Sequence, residues 1–162
     1  MQVTKGLFSH LYALMRVMPL SRGPVVELGV GIGSTPFLHW ACHPSRELVS
    51  YETSEKYYKI MCGHASKNHE MHLLDNWSNA DLERPWSVAF VDHSPNERRA
   101  VDAVRLKDWA QYIVLHDVNP KYDDRYHYSD IYPLFTYRKT YQVARTWVSV
   151  LSNLVDLSEL PE

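Results

Sequence analysis

An α/β fold is predicted for this chain, with a mostly parallel seven-stranded sheet, a C-terminal antiparallel hairpin and helices on both faces. Three observations carry that prediction. Short apolar runs alternate with helix-period segments along the chain. A glycine-rich turn joins the first strand-like run to the helix that follows it. The last two alternating segments, 137–143 and 147–155, are linked by only Ala144-Arg145-Thr146, which is hairpin length.

The elements follow in order. Leu7, Phe8, Leu11, Tyr12, Leu14, Met15 and Met18 recur at helical spacing and predict an amphipathic helix over 4–18, within a lead-in spanning 1–22. Val25-Val26-Glu27-Leu28-Gly29 reads as a buried strand. Ser34-Thr35-Pro36 then supplies capping hydroxyls and an early proline for a helix carrying Phe37, Leu38 and Trp40. Glu47 to Glu52 is a second strand, Ser54 opens a helix running to about Cys62, and Met71-His72-Leu73-Leu74 is a third strand ending at Asp75. Trp86 to Val91 is a fourth, ending at Asp92. Ser94-Pro95-Asn96-Glu97 has capping-box spacing, so the next helix is predicted to open there. Its buried stripe is Ala100, Val101, Ala103, Val104, Leu106 and Trp109. Tyr112-Ile113-Val114-Leu115 is the fifth strand, ending at His116-Asp117. A short helix capped by Ser129, with Ile131, Leu134 and Phe135, leads into the hairpin.

Composition sets the outer bounds. A chain of 162 residues fits one domain, 1–162, because domains typically run to roughly 100–200 residues. An apolar share of 45% against 22% charged residues is the balance of a packed chain, not a disordered one. A net charge of −2 implies no general nucleic-acid binding. The absence of a leader-like or long apolar segment implies no membrane role. Cys42 and Cys62 lack metal-type spacing and read as apolar fillers, which points to a reducing, cytoplasmic setting.

A glycine turn between a strand and a helix lets a ligand approach the backbone closely, beside the unpaired N–H groups of the helix start. Here the glycines fall at Gly29, Gly31 and Gly33, preceded by Glu27. A G-x-G-x-x-G dinucleotide pattern would place its third glycine at Ser34 instead. The observed E-x-G-x-G-x-G spacing resembles the first motif of class I S-adenosylmethionine-dependent methyltransferases, and the order of elements from 25 to 155 is similar to that family's. The resemblance implies that Glu27, Gly29, Gly31 and Gly33 form the cofactor turn. It implies that Glu52 takes the ribose hydroxyls and that Asp75, Asn76 and Trp77 lie near the adenine. A bland reading stays beside it, in which the turn only packs strand against helix and Glu52 is a solvated strand-end carboxylate.

Phe90-Val91-Asp92-His93-Ser94 and Leu115-His116-Asp117-Val118-Asn119 end neighbouring strands, so two carboxylates and two imidazoles should converge. These segments resemble the strand ends of catechol-type O-methyltransferases. That resemblance implies Mg²⁺ on Asp92, Asp117 and Asn119, acidifying an acceptor hydroxyl. Here Val118 follows the second aspartate where that family has its asparagine, and Pro95 stands where it has a lysine. Without a metal, His93 or His116 is placed to act as general base, giving Asp92, His93, His116 and Asp117 as catalytic candidates. Helix capping by Asp92 and a structural His116-Asp117 pair are the plain alternatives. His39, His43, His64 and His69 read as surface positions.

The segment 121–128, dense in tyrosine and charge, is expected to meet the methyl acceptor or another subunit. With little chain before Val25, either a second copy closes the site as a homo-oligomer or the acceptor is a macromolecule; a small-molecule acceptor needs the former. A NAD-dependent oxidoreductase and a non-catalytic cofactor-binding or assembly protein are the rival readings.

Overall fold

A computed structural model describes residues 8–143 and 145–161. Seven strands form one sheet: β1 (Val25–Leu28), β2 (Leu48–Glu52), β3 (His69–Leu73), β4 (Trp86–Val91), β5 (Ala110–His116), β6 (Tyr137–Tyr141) and β7 (Val148–Ser152). Their order is β3-β2-β1-β4-β5-β7-β6. The first five run parallel, while β7 lies antiparallel to both β5 and β6. Chain order reverses between β1 and β4, and in such sheets the crevice outside the strands' carboxyl ends at that reversal is where ligands bind.

Alternation along the strands feeds two cores. Val26, Leu28, Ala89, Val91, Ile113 and Leu115 face α4 (Arg98–Leu106) and the short helices α5 (Asp123–Tyr126) and α6 (Tyr128–Ile131). Val25, Val88, Phe90, Val114 and Val150 face α1 (Ser9–Val17) and α2 (Ser34–Cys42). Strands β1, β2 and β4 are buried at every position, as parallel strands covered on both faces must be. Truncating a fully buried residue such as Leu28 or Ile113 to alanine should cost about 2–5 kcal/mol. A nine-residue helix such as α1 is marginal alone, so its stability comes from burying Ala13, Leu14 and Val17. The α3 helix (Glu55–Met61) connects β2 and β3. No helix among the described residues is long and apolar enough to cross a membrane.

Several boundaries differ from the sequence-based expectation for identifiable reasons. Helix α1 starts at Ser9 and passes into a 3-10 turn over Met18–Leu20, while 4–7 lie outside the described residues. Helix α4 opens at Arg98, not Ser94. The Ser94 carbonyl accepts the Trp77 indole N–H at 2.7 Å and the His93 carbonyl accepts Arg99 Nε at 2.6 Å, which holds 93–97 out as a loop. Ser129 does not cap a helix; the Asp123 carboxylate accepts its backbone N–H and its hydroxyl, joining α5 to α6. β3 begins two residues early, at His69, and buries that imidazole. Cys42 is buried and Cys62 half-buried, both as free thiols.

Candidate active site at the carboxyl ends of the strands

The glycine turn sits at the reversal point. Gly29 has φ +89°, and a Cβ there would lie 2.7 Å from the Asp92 carbonyl oxygen and 2.7 Å from the His93 Cα. Both obstacles are backbone, so only glycine fits. At Gly31 a Cβ would meet nothing nearer than Ser34 Oγ at 3.6 Å, which leaves the middle of the turn open for a ligand. Gly33 is covered instead by the Phe8 ring and by His10 Nε2, 3.3 Å from a Cβ position. The start of α1 therefore lies over the turn.

Glu27 lies beneath this turn and does not line it. Its side chain is fully buried, taking hydrogen bonds from Thr35 Oγ1 at 3.0 Å and Ser50 Oγ at 2.6 Å. Thr35 Oγ1 in turn accepts the Gly31 N–H at 2.9 Å, so the carboxylate shapes the turn through the threonine. Burial pushes the Glu27 carboxyl up to about 7, against the hydroxyls that stabilise its charge. The contacts continue from Ser50 to His69 Nε2 at 2.9 Å and from His69 Nδ1 to His39 Nδ1 at 3.1 Å.

Glu52 closes β2 with both oxygens engaged. Oε2 accepts the Val30 N–H of the turn at 3.0 Å, and Oε1 accepts the N–H groups of Thr53 and Ser54 at 2.8 Å each. Oε2 keeps a free lone pair. Beside it, Thr53, Asp75, Asn76, Trp77, Pro95 and Arg98 line a cavity of about 280 Å³. Asp75 and Asn76 are exposed there. Trp77 contributes only a wall: it is 4% exposed and its ring packs 4.1 Å from that of His93.

At the ends of β4 and β5, Asp92, His116 and Asp117 come together, but His93 does not join them. Asp92 Oδ2 lies 3.1 Å from His116 Nδ1, and Arg99 bridges Asp92 Oδ1 at 2.9 Å and Asp117 Oδ2 at 3.3 Å. Tyr126 donates to the same Asp117 oxygen at 3.3 Å. Burial disfavours charge on both partners of the Asp92–His116 pair, yet their mutual attraction outweighs it. Asp92 is held below the ordinary range, aided by Arg99, and His116 above it. His93 turns into the core, where its Nε2 contacts Asp102 Oδ2 at 2.9 Å with both side chains fully buried. Arg98 and Arg105 complete the pairing of Asp102.

Asn119 and the Mg²⁺ ligand set expected around it do not fit. The Asn119 amide is pinned to the hairpin loop, donating to the Arg145 carbonyl and accepting the Trp147 N–H, each at 3.0 Å. Asp92 and Asp117 already share a guanidinium where a Mg²⁺ ion would stand.

Ser9, His10 and Arg99 were missing from the sequence-derived set. Ser9 Oγ contacts His116 Nε2 at 2.9 Å, and the edge of one imidazole meets the other across a 5.0 Å centroid distance between His10 and His116. His10 shares the buried stripe of α1 with Ala13, Leu14 and Val17. A polar residue at such a position is the signal that points to it.

No protein-family model and no curated protein matches the chain. Solved structures do. The N-methyltransferase NodS from Bradyrhizobium japonicum superposes with a TM-score of 0.64 at 9% identity, over 88% of this chain and 92% of that one. An rRNA methylase from Streptococcus thermophilus gives 0.61 at 16%, over 88% and 92%. The tRNA methyltransferase TrmI from Aquifex aeolicus gives 0.62 at 13%, over 93% and 71%. With the strand order and the turn at its reversal, these likenesses show that this chain has the fold of the class I S-adenosylmethionine-dependent methyltransferases.

Proposed function

We propose that this chain binds S-adenosylmethionine across the 29–33 turn and transfers its methyl group to an oxygen or nitrogen of an acceptor. The observation that carries this reading is the open Gly31 position flanked by the Glu52 carboxylate and the 75–76 cavity, all on one edge of the sheet. Gly31 admits the cofactor to the backbone, the free lone pair of Glu52 Oε2 accepts a ribose hydroxyl, and Asp75 and Asn76 border the base. The bound sulfonium supplies an activated methyl group.

The protein's own work is positioning and proton removal. Asp92 and His116 stand where the acceptor's proton is taken, and Arg99 orients Asp92 by holding its other oxygen. Asp117 stands farther off, 3.6 Å from His116 Nδ1, and shares Arg99 with Asp92. Thr146 Oγ1 contacts Ser9 at 2.6 Å, which ties the hairpin loop to the same corner. The exposed residues around α5 form the rim on which a macromolecular acceptor, or a second copy enclosing a small one, would rest. A reducing, cytoplasmic setting is part of this proposal.

The test is ligand-dependent thermal stability. S-adenosylhomocysteine at about 100 times its Kd should stabilise the fold by roughly 2.7 kcal/mol, whereas NAD should not. Stabilisation by NAD alone would replace this reading with the oxidoreductase one. Cofactor binding with no transfer of labelled methyl groups to any acceptor tried would favour a binding protein.

A further inference from the structure

We propose that His10, Asp92 and His116 form a binding site for one divalent transition-metal ion of the zinc class. Each residue offers a ligand atom, and the three atoms lie within 4.8 Å of one another. His10 is 5% exposed, and among the described residues neither of its ring nitrogens has a hydrogen-bond partner. A buried donor or acceptor left without a partner costs about 1–3 kcal/mol, so the His10 imidazole beside Asp92 and His116 lacks a partner of the kind a metal ion would supply.

The details suit nitrogen-preferring metals. Asp92 Oδ2 and His116 Nδ1 are 3.1 Å apart, close to the edge of about 3.4 Å for a tetrahedron with ligand bonds near 2.1 Å. The third ligand atom, on His10, lies within 4.8 Å of the other two, so closing the tetrahedron would need a shift of that side chain. The outer contacts are also those of a metal site. Ser9 Oγ holds His116 Nε2, which directs Nδ1 to the ion, and Arg99 holds Asp92 Oδ1, which leaves Oδ2 free. With the imidazoles neutral, Asp92 and Asp117 at −1 each against Arg99 at +1 leave a local charge of −1. Two nitrogens and one carboxylate match zinc and its neighbours, not Mg²⁺, which prefers oxygen. Three protein ligands also leave a coordination position open to water or to an acceptor's oxygen, the pattern of catalytic zinc. An ion bound there would take up His116 Nδ1 and Asp92 Oδ2, now 3.1 Å apart, so it would stand in place of their direct contact. The proposal stands independently of methyl transfer.

Metal titration of the full chain, after chelator treatment, tests it, with Zn²⁺ for affinity and Co²⁺ for its visible spectrum. One ion per chain is expected, with the d–d bands of a site of low coordination number and no displacement by excess Mg²⁺. His10→Ala and the ring-preserving His10→Phe should each weaken binding by more than about 100-fold while the circular dichroism spectrum is kept. Replacing His39 and His64 together by alanine, which breaks up the other histidine group of the chain, should leave the cobalt spectrum unchanged. Absence of a stoichiometric ion, survival of the spectrum in both His10 variants, or its loss with the His39 and His64 pair would each overturn the proposal. No methyl acceptor is needed, so this failure is distinguishable from failure of the proposed activity.

Discussion

Gly29 and Asp92 meet backbone to backbone: the Asp92 carbonyl oxygen stands 2.7 Å from where a side chain at Gly29 would begin. The first strand can turn there only because Gly29 adopts φ +89° with no Cβ, and the crossing fixes how far Asp92 stands from the turn. Gly29→Ala should therefore lower stability by more than about 1 kcal/mol, from strain alone before the clash is counted. Gly31→Arg meets no such backbone, so its fold should persist while S-adenosylhomocysteine binding is lost. Urea unfolding and calorimetric titration of both variants separate the two effects. Equal loss of stability would show that Gly31 is as structural as Gly29.

Glu27 gives a pH prediction with a definite sign. Its folded value, near 7, lies above its ordinary 4.5, because the fully buried site disfavours the charge. The folded state therefore holds the proton more tightly than the unfolded one. That contribution is complete below about pH 4.5 and is lost as pH rises through about 7, to the extent of roughly 3 kcal/mol. Glu27→Gln removes it, so the stability of the variant relative to the parent should rise across that window. Buried His10 and His69, both pressed to about 4 chiefly by burial, slope the opposite way but do so in both proteins. A flat difference between the two stability curves from pH 5 to 8 would contradict the buried, uncharged state of Glu27.

Asp102 anchors the underside of the site. Its side chain is fully buried and is shared by His93 at 2.9 Å, Arg98 at 2.8 Å and Arg105 at 3.1 Å. Asp102→Ala leaves three cationic or imidazole groups facing an apolar gap and should cost about 3–5 kcal/mol. His93→Phe should cost much less, because it removes one polar group and still fills the space beside Trp77. Thermal denaturation of both variants checks this ranking. A mild Asp102→Ala would mean that the arginines carry the fold without their shared carboxylate.

The fold was readable because it rests on local periodicity. Apolar runs such as Trp86–Val91 in β4 and Tyr112–Leu115 in β5 declare themselves as strands, and the glycine turn marks where the chain must pass β4 closely. The site was only partly readable. Strand ends predicted that Asp92, His116 and Asp117 would meet, but not that Arg99 would bridge two of them from the first turn of α4. His93 shares the Asp92 strand end yet points to the opposite face, as neighbouring residues in extended chain do. Ser9 and His10 lie more than 80 residues from Asp92 in sequence, and only the packing of α1 across the sheet brings them there.

The roles of Asp92 and Asp117 can be told apart by conservative replacement. Asp92 lies 3.1 Å from His116 Nδ1, whereas Asp117 stands farther from the same nitrogen, at 3.6 Å, shares Arg99 with Asp92, accepts from Tyr126 and holds a left-handed backbone at φ 58°. Asparagine tolerates that backbone better than alanine does, so Asp117→Asn isolates the charge. Asp92→Asn should lower kcat by about 100- to 10,000-fold, the range for a positioned acid–base group, while S-adenosylhomocysteine affinity changes little. Asp117→Asn should cost less, because Arg99 keeps its contacts to Asp92 and to the His93 carbonyl. Steady-state kinetics alongside cofactor titration decides the matter: unchanged turnover in Asp92→Asn would move the chemistry away from this pair of strand ends, and equal losses in both variants would place Asp117 in direct contact with the acceptor.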